Sequence, residues 1–315
     1  MKLSFIVPVY NREKTIGRAL DSILNQVNND IEIVIVNDGS TDGTEKIINQ
    51  YAEKYSNSIS YYKKQNEGIA ATRNFGIMHA KGEYVMFVDS DDYIEKDFIK
   101  KVYNYLEQDL DIIKFKAQCV SEDSNILNKI EGPVFEKQTG ENGFNKLVFL
   151  DNLIDSPCVY IFKKELFIKN NLFFKAGTEH EDFGLIPLIL LLAKSMVSLE
   201  LYGYNYVQTD NSITRNNDYK KTVKKFEDAL LHYDNMLQFI KKMDIKEETQ
   251  ENVKRYYTNA ILLKLETIEK KDRKPYIKQI RKRKMTRNIK PKNLKQFFKR
   301  VILEISINCY LKLRK

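Results

Sequence analysis

The stretch Glu83–Tyr93, EYVMFVDSDDY, joins an apolar run to three carboxylates within four positions. The run from Tyr84 to Val88 lacks the alternation of a half-exposed strand, so it predicts a strand that is buried on both faces. The acids at 89, 91 and 92 then stand where the chain has to turn. They indicate either a solvated turn that caps a helix or a site that holds a cation.

The sequence before this stretch repeats a strand and then a helix. Apolar, β-rich runs predict strands at 3–9, 31–36, 58–63 and 84–88, and apolar residues at helical spacing predict helices at 15–26, around 47–48 and at 69–80. Units of roughly 30 residues with buried strands are typical of βαβ crossovers. The predicted fold class is therefore α/β with a mostly parallel sheet.

Polar segments follow each predicted strand: PVYNRE (8–13), NDGSTD (37–42), QNEGIAATRN (65–74) and DSDD (89–92). Ligands of such sheets bind beyond the carboxyl ends of the strands, so we expect these segments to form one site. The first strand is not followed by GxGxxG, and GxxxxGK[ST] is absent from the sequence. Asp89 and Asp91 instead favour Mg²⁺ or Mn²⁺, which binds one or two carboxylates and completes its shell with water and substrate phosphates.

Taken in order, FIVPVYNRE, EIVIVNDGSTDGT, NEGIAATRNFGI and GEYVMFVDSDDY resemble family 2 glycosyltransferases of the bacterial surface-polysaccharide type. The resemblance covers residues 3 to about 108 and resumes at EHEDF (179–183). It implies the GT-A fold, a Rossmann-like and mostly parallel sheet with flanking helices. One departure is Asn37, where the family more often has a second Asp.

The resemblance also implies roles for single residues in a site for a UDP-sugar. Pro8, Tyr10 and Asp38 would contact the nucleotide base, Asn66 and Arg73 would approach the base or the diphosphate, Asp89 would hold the ribose or the metal shell, and Asp91 would hold the metal. Arg73 alone is also compatible with an ordinary surface residue of the helix after NEG. A donor of the UDP-hexose or UDP-N-acetylhexosamine class follows from this set.

Transfer with inversion needs a general base beside the acceptor hydroxyl. By resemblance to the family's ED pair, Asp182 is this base, and Glu181 orients it or touches the acceptor. The same two acids suit the first turn of the apolar helix that follows, where the helix dipole favours negative charge, and both roles are compatible. The neighbouring His180 has no second His nearby, so an ordinary polar contact is expected for it rather than metal binding.

The catalytic domain is predicted to span residues 1–218, with a nucleotide-sugar half at 1–108 and an acceptor half at 109–218. Four aromatic residues of the acceptor half have a spacing more typical of core than of sugar stacking: Tyr160, Phe162, Phe173 and Phe174. The segment from Tyr206 to Thr214 resembles the family's Ser-x-Thr segment, but Gln208 stands where Arg is usual. Arg215 is the candidate substitute.

The C-terminal region, 219–315, is predicted to be basic and helical. Residues 241–315 hold 24 Lys and Arg against 8 Asp and Glu, a net +16, whereas residues 1–240 carry −7. The run Lys278–Arg300 contains no acid, so we expect it to need an external anion. Basic residues beside Phe297, Phe298, Val301, Ile302, Ile305 and Tyr310 favour an anionic membrane surface bound through residues 278–313. The alternative is a solvated helix that covers the catalytic domain.

Helical periodicity within residues 222–270 predicts two buried faces. The first comprises Phe226, Leu230, Tyr233, Leu237 and Ile240, and the second comprises Tyr256, Ala260, Leu263, Leu265 and Ile268. The longest apolar run, Gly184–Ala193, is about half of the ~20 residues that span a bilayer. Three widely spaced Cys and no signal sequence favour the cytoplasm, so the predicted location is peripheral, at the inner face of the plasma membrane.

Two rival functions use the same features. A haloacid dehalogenase-type phosphohydrolase would use Asp89 as its nucleophile, but that motif normally opens the chain and continues with Thr or Val. A basic nucleic-acid-binding protein would use the C-terminal region, but the acidic body argues against nucleic acid as a partner. We therefore expect a metal-dependent, inverting glycosyltransferase that uses a UDP-sugar and a glycan or lipid-linked glycan acceptor of cell-surface polysaccharide synthesis.

Overall fold

The computed structural model describes residues 1–150, 154–208, 218–291 and 294–314. The chain forms two compact units. The first comprises Met1–Gly177 and Glu181–Arg215, and the second comprises Thr178–His180 and Asn216–Lys315. The short segment 178–180 therefore belongs to the second unit, although the residues on both sides of it belong to the first.

The first unit is built from strands and helices around one sheet. Its strands are β1 (Leu3–Val9), β2 (Ile31–Asn37), β3 (Ile59–Lys63), β4 (Tyr84–Phe87), β5 (Tyr93–Ile94), β6 (Ile112–Val120), β7 (Ile126–Ile130), β8 (Phe135–Gln138), β9 (Tyr160–Lys163) and β10 (Met196–Val207). Its helices are α1 (Ile16–Leu24), α2 (Thr44–Lys54), α3 (Ile69–His79), α4 (Phe98–Leu106), α5 (Gly140–Leu147), α6 (Glu165–Lys169) and α7 (Glu181–Leu192).

The sheet has the order β3-β2-β1-β4-β9-β6-β10-β5, with β7 beside β6 and β8 beside β10. The first four strands are parallel, as the buried apolar runs predict. Strand β9 is antiparallel to both β4 and β6, while β10 is parallel to β6. The predicted α/β fold with flanking helices is confirmed, and its sheet is mixed beyond β4.

Helix α3 packs closely on the sheet because Gly76 faces β1. A Cβ added at Gly76 would lie 2.3 Å from Cγ2 of Ile6, so a larger residue would push the helix away from the strand. Arg73 lies one turn before Gly76 on the same helix. The small residue therefore fixes the depth at which the Arg73 side chain enters the interior.

The aromatic residues of the predicted acceptor half are mainly core. Tyr160, Phe162 and Phe174 are at most 2% exposed, which confirms the core interpretation for these three. Phe174 packs edge-on against Phe87 of β4, with ring centroids 5.4 Å apart. These rings form an apolar wall beneath the carboxyl end of the sheet.

The second unit is helical, as predicted. Its helices are α8 (Tyr219–Ile240), α9 (Glu247–Thr267), α10 (Arg273–Lys282), α11 (Leu294–Ile305) and α12 (Ile307–Arg314). Helix α8 buries Phe226, Leu230, Tyr233 and Ile240 of the face predicted for it, while Leu237 of that face is half-buried. The second predicted face is partly right: Leu265 and Ile268 are buried as predicted, whereas Leu263 is 49% exposed, and Tyr257 and Ile261 are buried one position away from the predicted Tyr256 and Ala260. Tyr257 and Ile261 align at helical spacing with the buried Val253 and Leu265, so packing selects them over their neighbours Tyr256 and Ala260.

The basic run of the second unit is partly neutralised from within the unit. The Arg283 guanidinium donates to both carboxylate oxygens of Asp234 on α8, at 2.7 and 2.9 Å. Lys290 is ion-paired with Glu251 on α9. The expectation that the whole run needs an external anion is therefore wrong for these two residues, because their partners lie outside the run. In the described ranges, no helix is both long and apolar enough to cross a membrane.

Candidate active site

The turns after β1, β2 and β4 meet at one edge of the sheet, as predicted. Asn11 donates its N–H to the Ser40 hydroxyl at 3.0 Å, and the Asn11 amide oxygen accepts from the Thr41 N–H at 2.8 Å. The Thr15 hydroxyl donates to the carbonyl oxygen of Ser90 at 2.9 Å. These hydrogen bonds link three separate turns, so the turns form one connected surface at this edge of the sheet rather than a set of independent loops.

The acidic turn at 89–92 divides into structural and accessible carboxylates. Asp92 is 6% exposed, and it accepts from the Tyr204 hydroxyl at 3.0 Å and from the Val207 N–H at 2.8 Å. The Tyr204 hydroxyl also accepts from the Asp89 N–H at 3.1 Å. Burial, with Asp89 and Asp91 nearby, raises the pKa of Asp92 well above its usual value. Asp92 thus fixes the turn to β10, while Asp89 and Asp91 keep carboxylates that are 31% and 40% exposed.

Arg73 joins two carboxylates that are far apart in the sequence. Its guanidinium contacts Asp89 Oδ1 at 2.9 Å and Glu181 Oε1 at 2.7 Å. The residue is only 5% exposed, and its charge lies 5.4 Å from the centre of the Phe174 ring. Such a pair in an apolar setting is held firmly, since loss of one partner leaves a buried charge. The predicted contact of Arg73 with a diphosphate stays a prediction.

The predicted acid pair opens helix α7, in its first turn. Glu181 is 7% exposed, and burial raises its pKa to about 7 despite the opposing effect of Arg73. Asp182 is more accessible than Glu181, and its Oδ1 accepts from the Phe183 N–H at 2.7 Å. The two neighbours therefore differ in environment: one is an ion-paired interior acid and the other is a half-buried acid at a helix start. Their catalytic roles stay predictions.

The predicted base-contacting residues flank the acidic turn. Pro8 is buried within β1, opposite Val36 of β2, while the Tyr10 ring that follows is 45% exposed. Asp38 is 3% exposed, and its carboxylate accepts from the Lys64 amino group at 2.6 Å and from the Gly68 N–H at 2.9 Å. Asp38 thus holds the turn that carries the exposed Asn66.

Asn37, the departure from the family pattern, has a structural explanation. Its side-chain oxygen accepts from the Ser40 N–H at 2.9 Å, and its amide nitrogen donates to the Tyr61 hydroxyl at 3.1 Å. An aspartate at this position could not donate to Tyr61 in the same way. Asn37 therefore ties β2 to β3 and leaves Asp38 as the acid of the turn.

Asp91 and Asp89 provide a donor set that suits a hard divalent cation. Burial and the charge of Asp89 raise the pKa of Asp91, so a cation between them would relieve an unfavourable charge arrangement. Among the described residues, no group of three or more His, Cys, Asp or Glu stands ready to hold a metal ion. A two-carboxylate set agrees with Mg²⁺ or Mn²⁺ that takes its other ligands from water and phosphate.

Two further residues were singled out in the sequence, His180 and Gln208. His180 has a backbone φ of +54°, and burial together with Lys264 and Lys225 lowers its pKa to about 4. A neutral imidazole among lysines does not favour a metal site there. The Gln208 N–H donates to the Val120 carbonyl at 2.8 Å, and the rest of the Ser-x-Thr segment, with Arg215, lies outside the described residues.

The sequence interpretation missed several residues that build the site, among them Asp92 and Tyr204. The third acid of DSDD was visible as an unassigned carboxylate, but no local pattern marks Tyr204 as its partner 112 positions away. Arg12, which lies 3.3 Å from Asp91, was visible in PVYNRE but was not assigned a role. Each of these contacts depends on the sheet order rather than on neighbouring residues in the chain.

A mixed α/β sheet whose parallel strands lead to an acidic turn, with a second pair of acids at the start of α7, is the arrangement that the sequence resemblance implied. The chain belongs to glycosyl transferase family 2, whose family model matches residues 4–169. The family assignment favours the glycosyltransferase prediction over the phosphohydrolase and the nucleic-acid-binding protein.

Curated relatives of this chain include bacterial proteins of two kinds. The chain is 32% identical over 228 residues to glycosyltransferase GlyA of Streptococcus pneumoniae, covering 68% of this chain and 32% of the relative. It is 31% identical over 223 residues to minor teichoic acid biosynthesis protein GgaB of Bacillus subtilis, covering 66% of this chain and 23% of the relative. The chain thus spans about a third or less of the length of these curated relatives.

A solved structure shares the fold. The S. aureus TarS 1-349 structure in complex with UDP-GlcNAc superimposes with a TM-score of 0.65 at 20% identity, covering 85% of this chain and 82% of that chain. At this identity the likeness bears on the fold alone. It agrees with the α/β architecture predicted from the strand and helix pattern.

Proposed function

We propose that this protein is a metal-dependent, inverting glycosyltransferase that moves a hexose or N-acetylhexosamine from a UDP-sugar to a glycan acceptor of cell-surface polysaccharide synthesis. One observation carries the proposal: Arg73 ion-pairs Asp89 of the acidic turn with Glu181 of the acid pair. A donor site and an acceptor base must lie on either side of one anomeric carbon, and this pairing is consistent with that need. The UDP-GlcNAc bound to TarS and the teichoic acid role in GgaB's name support the donor and acceptor classes.

Asp91 and Asp89 would hold Mn²⁺ or Mg²⁺. Such an ion offsets the negative charge that develops on the leaving diphosphate, by several kcal/mol. The chain itself would hold Asp89 in place through Arg73 at the carboxylate and Tyr204 at the N–H. Because both partners belong to the folded interior, little reorganisation would be needed when the donor binds.

Asp182 would take the proton of the acceptor hydroxyl. The acceptor oxygen forms a bond to the anomeric carbon on the face opposite the diphosphate, while the bond to the diphosphate oxygen breaks and its electron pair leaves with the nucleotide. Glu181, fixed by Arg73, would orient Asp182 or the acceptor. A half-buried aspartate suits this exchange better than Glu181, which is already engaged in an ion pair.

The uridine would lie against the exposed Tyr10 ring, beside Pro8 and the Asp38-bound turn. Asp38 fixes residues 64–68 through Lys64 and Gly68, and so presents Asn66 at the same edge. Aromatic rings with one free face are common platforms for nucleotide bases. A polar turn beside such a ring can supply the hydrogen bonds that choose among bases.

The metal and donor proposals are tested by donor hydrolysis and transfer with UDP, GDP and dTDP sugars in Mn²⁺. We expect turnover with a UDP-sugar that disappears in EDTA and in Asp91→Asn, whose fold stays intact by circular dichroism. Asp123→Asn removes an exposed acid elsewhere and serves as the charge-matched control. Full wild-type activity in excess chelator would reject metal dependence, and activity with another nucleotide only would reject the UDP donor.

We also propose that the protein is cytoplasmic and binds the inner face of the plasma membrane through residues 278–313, next to a lipid-linked acceptor. One face of helix α11 exposes apolar residues at helical spacing: Leu294, Phe297, Phe298, Val301 and Ile305, at 38–77% exposure. Exposed Lys282, Lys284 and Arg287 precede it, and each basic residue near an anionic leaflet contributes about 1 kcal/mol. Tyr310, predicted for the same surface, is 8% exposed and belongs to the interior instead.

Liposome sedimentation tests this surface. Phe297→Ser/Phe298→Ser should release the protein from vesicles that contain anionic lipid, and added salt should weaken binding of the wild type. Ile126→Ser/Leu127→Ser, an equally exposed apolar pair on β7, is the matched control and should bind like the wild type. Equal sedimentation of both double variants would reject the α11 surface. Donor hydrolysis by the released variant separates this result from loss of activity.

A further inference from the structure

Arg12 lies in the turn between β1 and α1 and reaches the acidic turn after β4. Its Nε is 3.3 Å from Asp91 Oδ2, with the two side chains 25% and 40% exposed. Neighbouring Arg18 contacts the carbonyl oxygen of Asp91 at 2.8 Å rather than its carboxylate. Among the residues that the structure describes, Arg12 is therefore the basic side chain that pairs with the Asp91 carboxylate.

The backbone of Arg12 is fixed while its guanidinium is held by exchangeable contacts. The Arg12 N–H donates to the Thr44 hydroxyl at 2.7 Å, and the preceding Asn11 has a left-handed φ of +50° supported by its bonds to the 40–41 turn. Nη1 donates to the carbonyl oxygen of Asn11 at 3.0 Å. The side chain is thus anchored at its base beside the sheet edge and is half-exposed at its tip.

Arg73 provides the contrast. It is 5% exposed and bridges two carboxylates, so its release would leave buried charges without partners. The Arg12 pair is partly open to solvent, and pairs in contact with solvent contribute less to stability than buried ones. Arg73 is therefore held firmly in place, whereas Arg12 can change partners at a small cost in free energy.

We infer that Arg12 is the counter-ion of Asp91 in the donor-free protein and that its guanidinium moves to the donor diphosphate when a divalent cation binds Asp91. The inference rests on the proposed function. A guanidinium and a divalent cation at the same carboxylate repel each other, so cation binding weakens the contact of Arg12 with Asp91. A guanidinium presents a planar pair of donors that matches phosphate oxygens, which gives the displaced group a partner in the same site.

This exchange makes metal and nucleotide binding cooperative. Without nucleotide, Arg12 competes with the cation for Asp91. With nucleotide, the diphosphate accepts Arg12 and the competition ends, so each ligand strengthens the other. Arg12 would therefore determine by how much the bound donor increases the affinity of the protein for the metal.

Mn²⁺ binding, followed by electron paramagnetic resonance without any sugar, tests the inference on the full chain. Arg12→Gln should bind Mn²⁺ about 2- to 5-fold more tightly than the wild type in the absence of nucleotide, since a weak competing pair is gone. In the presence of Mn²⁺, the same variant should bind UDP about tenfold more weakly, the effect of one lost charged hydrogen bond. Arg12→Lys should retain the competition for Mn²⁺ and bind UDP more tightly than Arg12→Gln.

Lys14→Gln removes an exposed charge from the same turn and should leave both affinities at wild-type values. Mn²⁺ affinity equal in the wild type, Arg12→Gln and Lys14→Gln would overturn the Arg12 inference and leave the proposed function standing. No Mn²⁺ binding by any of these proteins, even with UDP, would overturn the metal-dependent function and the inference together. Circular dichroism melting of each variant separates these outcomes from unfolding.

Discussion

Replacement of Arg73 by Met should destabilise the first unit in a pH-dependent way. The side chain is almost fully buried, and its removal leaves Glu181 in the interior and Asp89 at 31% exposure without their shared cation. Loss of one partner of a buried pair costs about 3–5 kcal/mol, and partial hydration of Asp89 brings the expected value to about 2–4 kcal/mol at pH 8.

The loss of folding free energy caused by Arg73→Met should be smaller at pH 6 than at pH 8. The folded-state pKa of Glu181, about 7, lies above its value in the unfolded chain, so the protonated form is favoured in the folded protein. Stability from this group is present below the unfolded pKa and is lost as the pH rises through the folded pKa. Arg73 opposes this by lowering the pKa, so Arg73→Met shifts the pKa upward. At pH 6 Glu181 can then be neutral, and we expect a loss of about 1–2 kcal/mol.

Urea unfolding of Arg73→Met, Glu181→Gln and the double variant at pH 6 and pH 8 measures this coupling. The double variant should recover at least about 1 kcal/mol at pH 8 relative to the sum of the single changes. Lys100→Met removes an exposed cation of α4 and controls for net charge. Additive effects within about 0.5 kcal/mol at both pH values would refute the view that Arg73 stabilises Glu181.

Three further predictions concern single groups. Asp182→Asn should lower turnover by about 10²–10⁴ while calorimetry finds unchanged UDP-sugar affinity; a large loss of affinity would contradict its role as base. Tyr204→Phe should cost about 1–3 kcal/mol in urea unfolding, because the N–H of Asp89 and the buried Asp92 lose a partner, and a neutral effect would argue against it. The neutral state of His180 should confer stability that is present above about pH 6.5 and lost as the pH falls through 4, and His180→Asn should flatten that part of the profile.

Strands β1, β2 and β4 were predictable because each is a buried apolar run followed by a polar turn, and the half-exposed β3 because its β-rich residues precede a polar turn. The observed ends of β1 agree with the predicted ones, and those of the other three strands differ by one residue, as for β4, which ends at Phe87 rather than Val88. The place of β9 was not predictable, since a four-residue strand carries no signal for which neighbours it joins. The one-position error in α9 has a similar cause: Tyr256 and Tyr257 are adjacent, and only packing decides which one is buried.

The acids of the site were predictable from their motifs, but their connections were not. Arg73 and Glu181 are 108 positions apart in the chain, and the sequence offers nothing that pairs them. The sequence indicated a contact of Arg73 with the base or the diphosphate, which stays a prediction, and the folded chain adds two internal carboxylates as partners. The local sequence pattern identifies residues whose side chains suit a binding or catalytic role. The order of the strands determines which of these residues lie in contact.

The position of β9 has a consequence for how the chain is made. Strand β4 pairs with β1 on one side and with β9 on the other, so its second edge has no partner until residues 160–163 have left the ribosome. Until that moment an apolar strand presents free backbone groups to solvent or to another nascent chain. A fragment ending near residue 108 would keep that edge open and should aggregate rather than fold. Once β9 has been synthesised, both edges of β4 can be paired within the chain, and β4 no longer offers an edge to a strand of another chain.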